Sequence, residues 1–264
     1  GTLGAVVGAA LTERLVGHWG LPPSHLLLLS ALVLEAATQV LLRLGRQTAW
    51  KGRGAGREPG ARMAEGLRLV ASSRYLQAMA LFMVLYTLLS TVLYLLQGRI
   101  VEGAFVQEAA RTAAFARLDV GANAVTLACQ LLLTPWILGR HGPGLGLAVL
   151  PAVLIGGFVA LALHPAFGTL AIVIILERGL HYGLDRPSRE VLYIPLGAEE
   201  KYKSKAFIDT FVYRAGDVLG VWLPTGLALI GIGAAPAAGV LSVGWLACAG
   251  WLGRLRQNLK PDHS

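Results

Sequence analysis

The feature that most constrains this chain is a recurrence of long apolar runs, each close to the length a helix needs to cross a bilayer. A crossing takes roughly 20 apolar residues. Runs of that order fall at about 1–17, 24–44, 75–97, 112–138, 146–164, 166–185, 206–231 and 237–253. A soluble helical domain would alternate apolar and polar faces along each helix, and most of these segments do not. Of the 264 residues 55% are hydrophobic and only 14% charged, against roughly 25% charged in an average soluble domain. Mean hydropathy is +0.61. Lipid is therefore the expected solvent and partner, and the fold class is all-α, a polytopic transmembrane bundle of about eight helices.

A formal net charge of +8 would suit a nucleic-acid binder, but the Lys and Arg lie in short connections between apolar runs. That placement is a topology signal. The connection 45–74 carries Arg46, Lys51, Arg53, Arg57, Arg62, Arg68 and Arg74 against Glu58 and Glu65, and is rich in Gly. It reads as a cytoplasmic, largely irregular loop. Alternate connections agree: Arg140 with His141, then Arg186, Arg189, Lys201, Lys203 and Lys205, then Arg254, Arg256 and Lys260. The intervening connections are poor in positive charge. The expected location is the cell (inner) membrane, multi-pass, with the C-terminus cytoplasmic. Nucleic acid is not an expected partner.

Cys129 and Cys248 both sit inside apolar runs, which implies packing rather than a disulfide framework. The histidines at 18, 25, 141, 164, 181 and 263 have no ligand spacing, so no metal, cofactor or catalytic residue is expected. The chain opens at Gly1 without an initiator Met, with Gly1, Gly4 and Gly8 at helix-packing spacing, and reads as an N-terminally truncated piece. Two helices, a long basic loop and six further helices resemble the layout of the major facilitator superfamily, two six-helix halves each built as an inverted repeat. That likeness divides the chain into 1–44, the last two helices of an N-terminal half; 45–74, a cytoplasmic linker; 75–254, a C-terminal six-helix half; and 255–264, a cytoplasmic tail. Missing N-terminal helices of the same protein are then an expected partner.

Charges within apolar runs cost several kcal/mol in hydrocarbon and persist mostly where they face a bundle interior or a cavity. Glu177 and Arg178 lie midway along 166–185, as structural contacts to neighbouring helices or as substrate contacts. Arg117 and Asp119 stand nearer a helix end, where snorkelling explains them. Asp209, Arg214 and Asp217 share the 206–231 run, and Arg214 to Asp217 has the spacing of an intrahelical pair. Arg214 is a candidate anion ligand. Tyr86, Ser90, Tyr94 and Gln97, three or four apart, form a polar and aromatic stripe that suits either base stacking or interhelical hydrogen bonds.

The most specific stretch runs from Asp185-Arg186-Pro187-Ser188-Arg189-Glu190 through Tyr193-Ile194-Pro195-Leu196 to Lys201-Tyr202-Lys203-Ser204-Lys205, with Ile208-Asp209 opening the next helix and Arg214 following. This order resembles the ATP/ADP translocase family of bacterial and plastid nucleotide exchangers. Gly197, Ser204 and Ala215-Gly216-Asp217 depart from the family pattern, which implies a divergent bacterial branch. The resemblance implies a secondary transporter, an antiporter of nucleotides or another phosphorylated anion working by alternating access. It assigns Lys201, Lys203 and Lys205 to phosphate capture, Arg214 to the pathway, and Asp209, Arg189 and Glu190 to the same motif. A nucleotide's charge needs several cations to replace its hydration. No G-x-x-x-x-G-K-[ST] loop is present, so ATP would be cargo rather than fuel. A facilitator for an unrelated solute, or a non-transporting membrane enzyme or sensor, is the alternative.

Overall fold

A computed structural model describes residues 2–20, 22–47 and 59–259 of the chain. Among the described residues there is no strand. The helices are α1 (Thr2–Thr12, extended by a π-turn to His18), α2 (Pro23–Gln47), α3 (Pro59–Ser72), α4 (Arg74–Ala104), α5 (Glu108–Arg140), α6 (Pro143–Leu163), α7 (Phe167–Leu192), α8 (198–229) and α9 (Ala234–Gln257). The all-α polytopic bundle is borne out. Six of these helices are long and apolar enough to span a membrane: α4, α5, α6, α7, α9 and the 24–43 stretch of α2.

Two of the eight expected crossings are not among those six. In 1–17 the α-helix ends at Thr12 and gives way to a π-turn around Glu13 and Arg14. In 206–231 the helix continues unbroken from the polar stretch at 198–207, and Asp209, Arg214 and Asp217 dilute its apolar character. The connection 45–74 differs in another way. Its residues 48–58 lie outside the described residues, but Pro59–Ser72 is helical rather than irregular. Leu69 and Val70 turn inward, and a Cβ on Gly66 would stand 2.7 Å from Phe207 Cβ, so α3 lies tightly along the start of α8.

Helices α4 to α9 pack as a set. The main contacts pair α4 with α8, α5 with α7 and α6 with α9, joined by α4 with α9 and α6 with α7. Exchanging α4 for α7, α5 for α8 and α6 for α9 returns the same contact pattern, which is the property an inverted three-plus-three repeat requires. Connections of a few residues hold neighbours antiparallel. At one of them Gly142 adopts φ 77° and ψ 177°, a conformation open essentially to glycine alone.

Lipid tails are as apolar as leucine, so helices associate here through close packing and buried polar contacts. Two Gly-x-x-x-Gly pairs supply the close packing. Gly216 and Gly220 of α8 lie against the α4 backbone, and Gly179 and Gly183 of α7 lie against α5 at Val125 and Cys129. Beside them a large-residue core forms where Phe82 and Trp245 meet at 5.2 Å between ring centroids, with Phe158, Leu150 and Leu154 fully enclosed. Cys129 and Cys248 are free thiols buried in this packing. None of the 24–43 stretch is buried, whereas half of the apolar windows in α4 and α7 is. The chain therefore assembles around α4 and α7.

A Cβ on residue 220 would stand 2.7 Å from the carbonyl oxygen of Leu88 and 2.6 Å from Thr91 Cβ. Gly220→Ala should therefore force α8 off α4 and destabilise the protein by about 1–3 kcal/mol. Gly226→Ala meets nothing within 4 Å and should leave stability unchanged or slightly raised. Thermal midpoints in detergent compare the two.

Candidate functional site

Four ionisable residues of α7 recur at intervals of four: Glu177, His181, Asp185 and Arg189. In a straight α-helix such a row drifts around the axis, because four residues overshoot a turn of about 3.6. A π-turn at His181–Asp185 widens the helix in the middle of the row and keeps it facing inward. Glu177, His181 and Asp185 are buried at 4%, 6% and 0% exposure. The carbonyls loosened by the wide turn are satisfied from α5: Thr134 Oγ1 donates to Gly183 O at 2.5 Å and Gln130 Nε2 to Tyr182 O at 3.2 Å.

The row is tied across the bundle. Asp185 Oδ2 accepts from Arg189 Nε at 3.1 Å and lies 3.2 Å from His181 Nδ1, while Asp185 Oδ1 has no hydrogen-bond partner. The His181 ring stacks on Tyr86 of α4, with 4.2 Å between centroids and 6° between planes. The Arg189 guanidinium stands 5.8 Å from the same Tyr86 ring and contacts Met83 Sδ. Glu177 Oε1 accepts from Ser90 Oγ at 3.2 Å. Glu177 and Arg178 do not pair with each other, since adjacent residues project about 100° apart. Arg178 instead forms an ion pair with Asp119 and donates to Gln97 Oε1 at 3.2 Å. Asp119 is therefore a pairing residue rather than a snorkelling one, and Arg117 pairs with Glu13 at 3.3 Å.

Two cavities flank this row. The first, about 320 Å³, is lined by Glu177, Arg178, Tyr86, Ser90, Asp119 and Tyr213, among others. The second, about 280 Å³, is lined by Arg186, Arg189, Lys205, Glu190, Asp209 and Tyr193, among others. His181, Tyr182 and Tyr213 border both. Of the residues singled out in the sequence, Tyr86, Ser90, Asp119, Glu177 and Arg178 thus line the first of two adjoining spaces, and Arg189, Glu190, Lys205 and Asp209 the second.

Lys201, Lys203 and Arg214 stand apart from both. Lys201, Lys203 and Lys205 lie on the helical 198–207 stretch, where a spacing of two turns each side chain about 200° from the last. Lys205 contacts Glu190 at 2.6 Å and lies 5.6 Å from the Tyr193 ring, facing the second cavity. Lys203 points toward α3, bonded to Glu199 and to Glu65 at 2.7 Å, and these two hydrogen bonds raise its ammonium above the ordinary lysine range. Lys201 borders neither of the two. Arg214 makes the expected pair with Asp217 at 3.5 Å, but its side chain is 81% exposed and outside both cavities. Asp217 also accepts from Thr91 of α4 at 3.2 Å. The Tyr86 stripe breaks at Tyr94, which is 65% exposed; it sits about 80° around the helix from Tyr86, whereas Gln97 returns to within about 20° and is buried.

His181 and Asp185 belong to the site although neither stands out in the sequence as a functional candidate. The repeated interval of four, running from Glu177 to Arg189, was the available signal. Among the described residues no cluster of three or more His, Cys, Asp or Glu could hold a metal.

Residues 147–259 match the family model described as TLC ATP/ADP transporter. No curated protein and no solved structure matches the chain. The matched stretch contains α7, α8 and α9 with most of α6, and so all of the 185–217 motif and both ends of the ionisable row. Apolar helices around a buried polar interior describe a multi-pass membrane protein, and the match, over 147–259, is to a family of transporters rather than of enzymes. The family it supports is that of the ATP/ADP translocases, carriers of nucleotides, as the motif had implied.

Asp185 is fully buried and offsets Arg189. Asp185→Asn should leave that guanidinium unpaired and lower stability by about 3–5 kcal/mol. Adding Arg189→Met should recover much of the loss, which denaturation of the single and double variants will measure.

Proposed function

We propose that the chain works as a secondary nucleotide transporter, an antiporter that exchanges ATP-like and ADP-like anions by alternating access, with the second cavity receiving the phosphates. The observation that carries this is the convergence of Arg186, Arg189 and Lys205 on one cavity whose wall also includes Tyr182, Tyr193 and Tyr213, inside the stretch that matches the nucleotide-transporter family. Cations meet the phosphates, and aromatic faces accept a planar base. At about 280 Å³ the cavity lies at the lower end of the roughly 300–1,000 Å³ that ligand pockets occupy, room for part of a nucleotide.

On this reading 75–254 is a major-facilitator-like half, and 1–44, beyond the linker 45–74, is the end of a partner half that completes the site. The symmetric pairing of α4 to α9 supports it. Arg214, exposed on α8, would face that partner half. The end of the bundle carrying α3 and the α7–α8 connection would be cytoplasmic, in the cell (inner) membrane, with the 255–264 tail on the same side; basic residues concentrated there support this orientation.

Two of the three cations in the second cavity are held by acids, Lys205 by Glu190 and Arg189 by Asp185. Phosphates entering would displace Glu190 from Lys205, so Lys205→Gln should reduce uptake of labelled ATP or ADP about tenfold or more, the scale of one charge-assisted hydrogen bond. Lys201→Gln should leave uptake unchanged. Counter-exchange in liposomes containing the full chain gives both rates. Equal uptake by the Lys205 variant and the parent would remove this residue from the pathway, and absence of any nucleotide flux would defeat the transport reading.

A further inference from the structure

Glu177 is the buried ionisable group for which phosphate handling has no use. It sits at 4% exposure in the wall of the first cavity, and the hydrogen bond it receives comes from a neutral hydroxyl, Ser90. The cation next to it in sequence, Arg178, is directed to Asp119. One interval of four along the same helix face stands His181, also buried, and one further stands Asp185, whose Oδ1 is enclosed without a partner. His181 is the junction of the row, bordering the first cavity with Glu177 and the second with Arg189 and Lys205.

We propose that Glu177 and His181 form a proton-binding site, and that one proton enters with each incoming ATP-like nucleotide while the outgoing ADP-like nucleotide leaves without one. A carboxylate enclosed this far from water holds its charge only at a desolvation cost, and a proton removes that cost. The proton enters at Glu177 from the first cavity. It bonds to one carboxylate oxygen there, can pass to His181, and leaves toward Asp185 and the second cavity, returning each group to its starting state. The intervals of four place the three groups in file along one face, as a proton relay through a membrane requires. This rests on the transport reading of the second cavity.

The charged and titratable groups around the site set the sign of the coupling. On α7 itself these are Arg178, Tyr182, Asp185, Arg186, Arg189 and Glu190, with Tyr193 just beyond its end; α5 presents Asp119, α4 presents Tyr86, and α8 presents Asp209, Tyr213 and Lys205, while α6 carries no ionisable residue. Protonating Glu177 removes one negative charge beside the anion pathway. Anion binding and proton binding therefore favour each other, and by linkage the effect is reciprocal. Nucleotide should flow with protons, from the acidic side to the less acidic one. With one proton per ATP-for-ADP exchange, each pH unit of gradient supports about a tenfold shift in the ATP-to-ADP ratio across the membrane.

The test uses the full chain in liposomes, with labelled ATP outside and with ADP and a pH-sensitive dye within. An inward acid gradient should stimulate ATP uptake, and ATP should acidify the lumen. For each protein the reading is the ratio of uptake with the gradient to uptake at equal pH. Glu177→Gln should bring that ratio to one, and Glu177→Asp should restore part of it. Parent exchange that proceeds at the same rate with and without the gradient overturns the coupling while leaving nucleotide transport intact. A complete lack of ATP flux at any pH defeats the transport reading instead. The proton site is then judged by nitrogen-15 NMR of labelled histidine in nanodiscs, with the His181 signal identified by its loss in His181→Gln. Its titration should shift in Glu177→Gln, and an unmoved titration overturns the site.

Discussion

The polar interior of this bundle exists because two pairs of helices approach at backbone distance. Gly216 and Gly220 bring α8 onto α4, and Gly179 and Gly183 bring α7 onto α5, where any larger side chain would meet main-chain or Cβ atoms. In lipid no solvent-driven collapse holds helices together, so contact of this kind must do so. The consequence reaches the site directly. With α7 seated against α5, Arg178 meets Asp119; with α7 also against α4, Tyr86 stacks on His181 and Ser90 reaches Glu177. Were the helices held further apart by larger residues, the same charges would face lipid or each other at distances too great to offset their desolvation.

Much of this was legible in the sequence because lipid imposes simple rules. The lengths of apolar runs located the helices, and the order of residues across 185–217 pointed to the family that the match at 147–259 supports. Charges within apolar runs turned out to line the interior, as Glu177 and Arg178 do. The failures share a cause, the angular position of a side chain around its helix. Three alternate lysines look like one cluster in a loop but spread over opposite faces once that stretch is helical. Tyr94 looks continuous with Tyr86 until about 100° per residue is counted. The π-turn at His181–Asp185 changes the count again, and it kept the ionisable row aligned in a way no fixed period could anticipate. Pro59–Ser72, embedded in a Gly-rich and basic stretch, was hidden because its inward face is only a few residues wide.

A carrier of a multiply charged anion faces opposite demands. It must replace several layers of hydration with cations, yet it must also let the anion go. Free guanidinium and ammonium groups would bind phosphate too tightly and would themselves be unstable in the bilayer. Here Arg189 is held by Asp185, Lys205 by Glu190 and Arg178 by Asp119, so the empty cavities are close to electrically balanced. On the proposed function, an arriving phosphate would exchange one anionic partner for another, and its departure would let the carboxylate return. The net gain on binding is then the difference between two salt bridges rather than the whole of one, and it stays small enough to be reversed in each cycle. The same arithmetic explains why acids stand among the cations of a phosphate pathway at all. They are the occupants of the cation sites when the cargo is absent, and the row from Glu177 to Arg189 places them along the route that the cargo would follow.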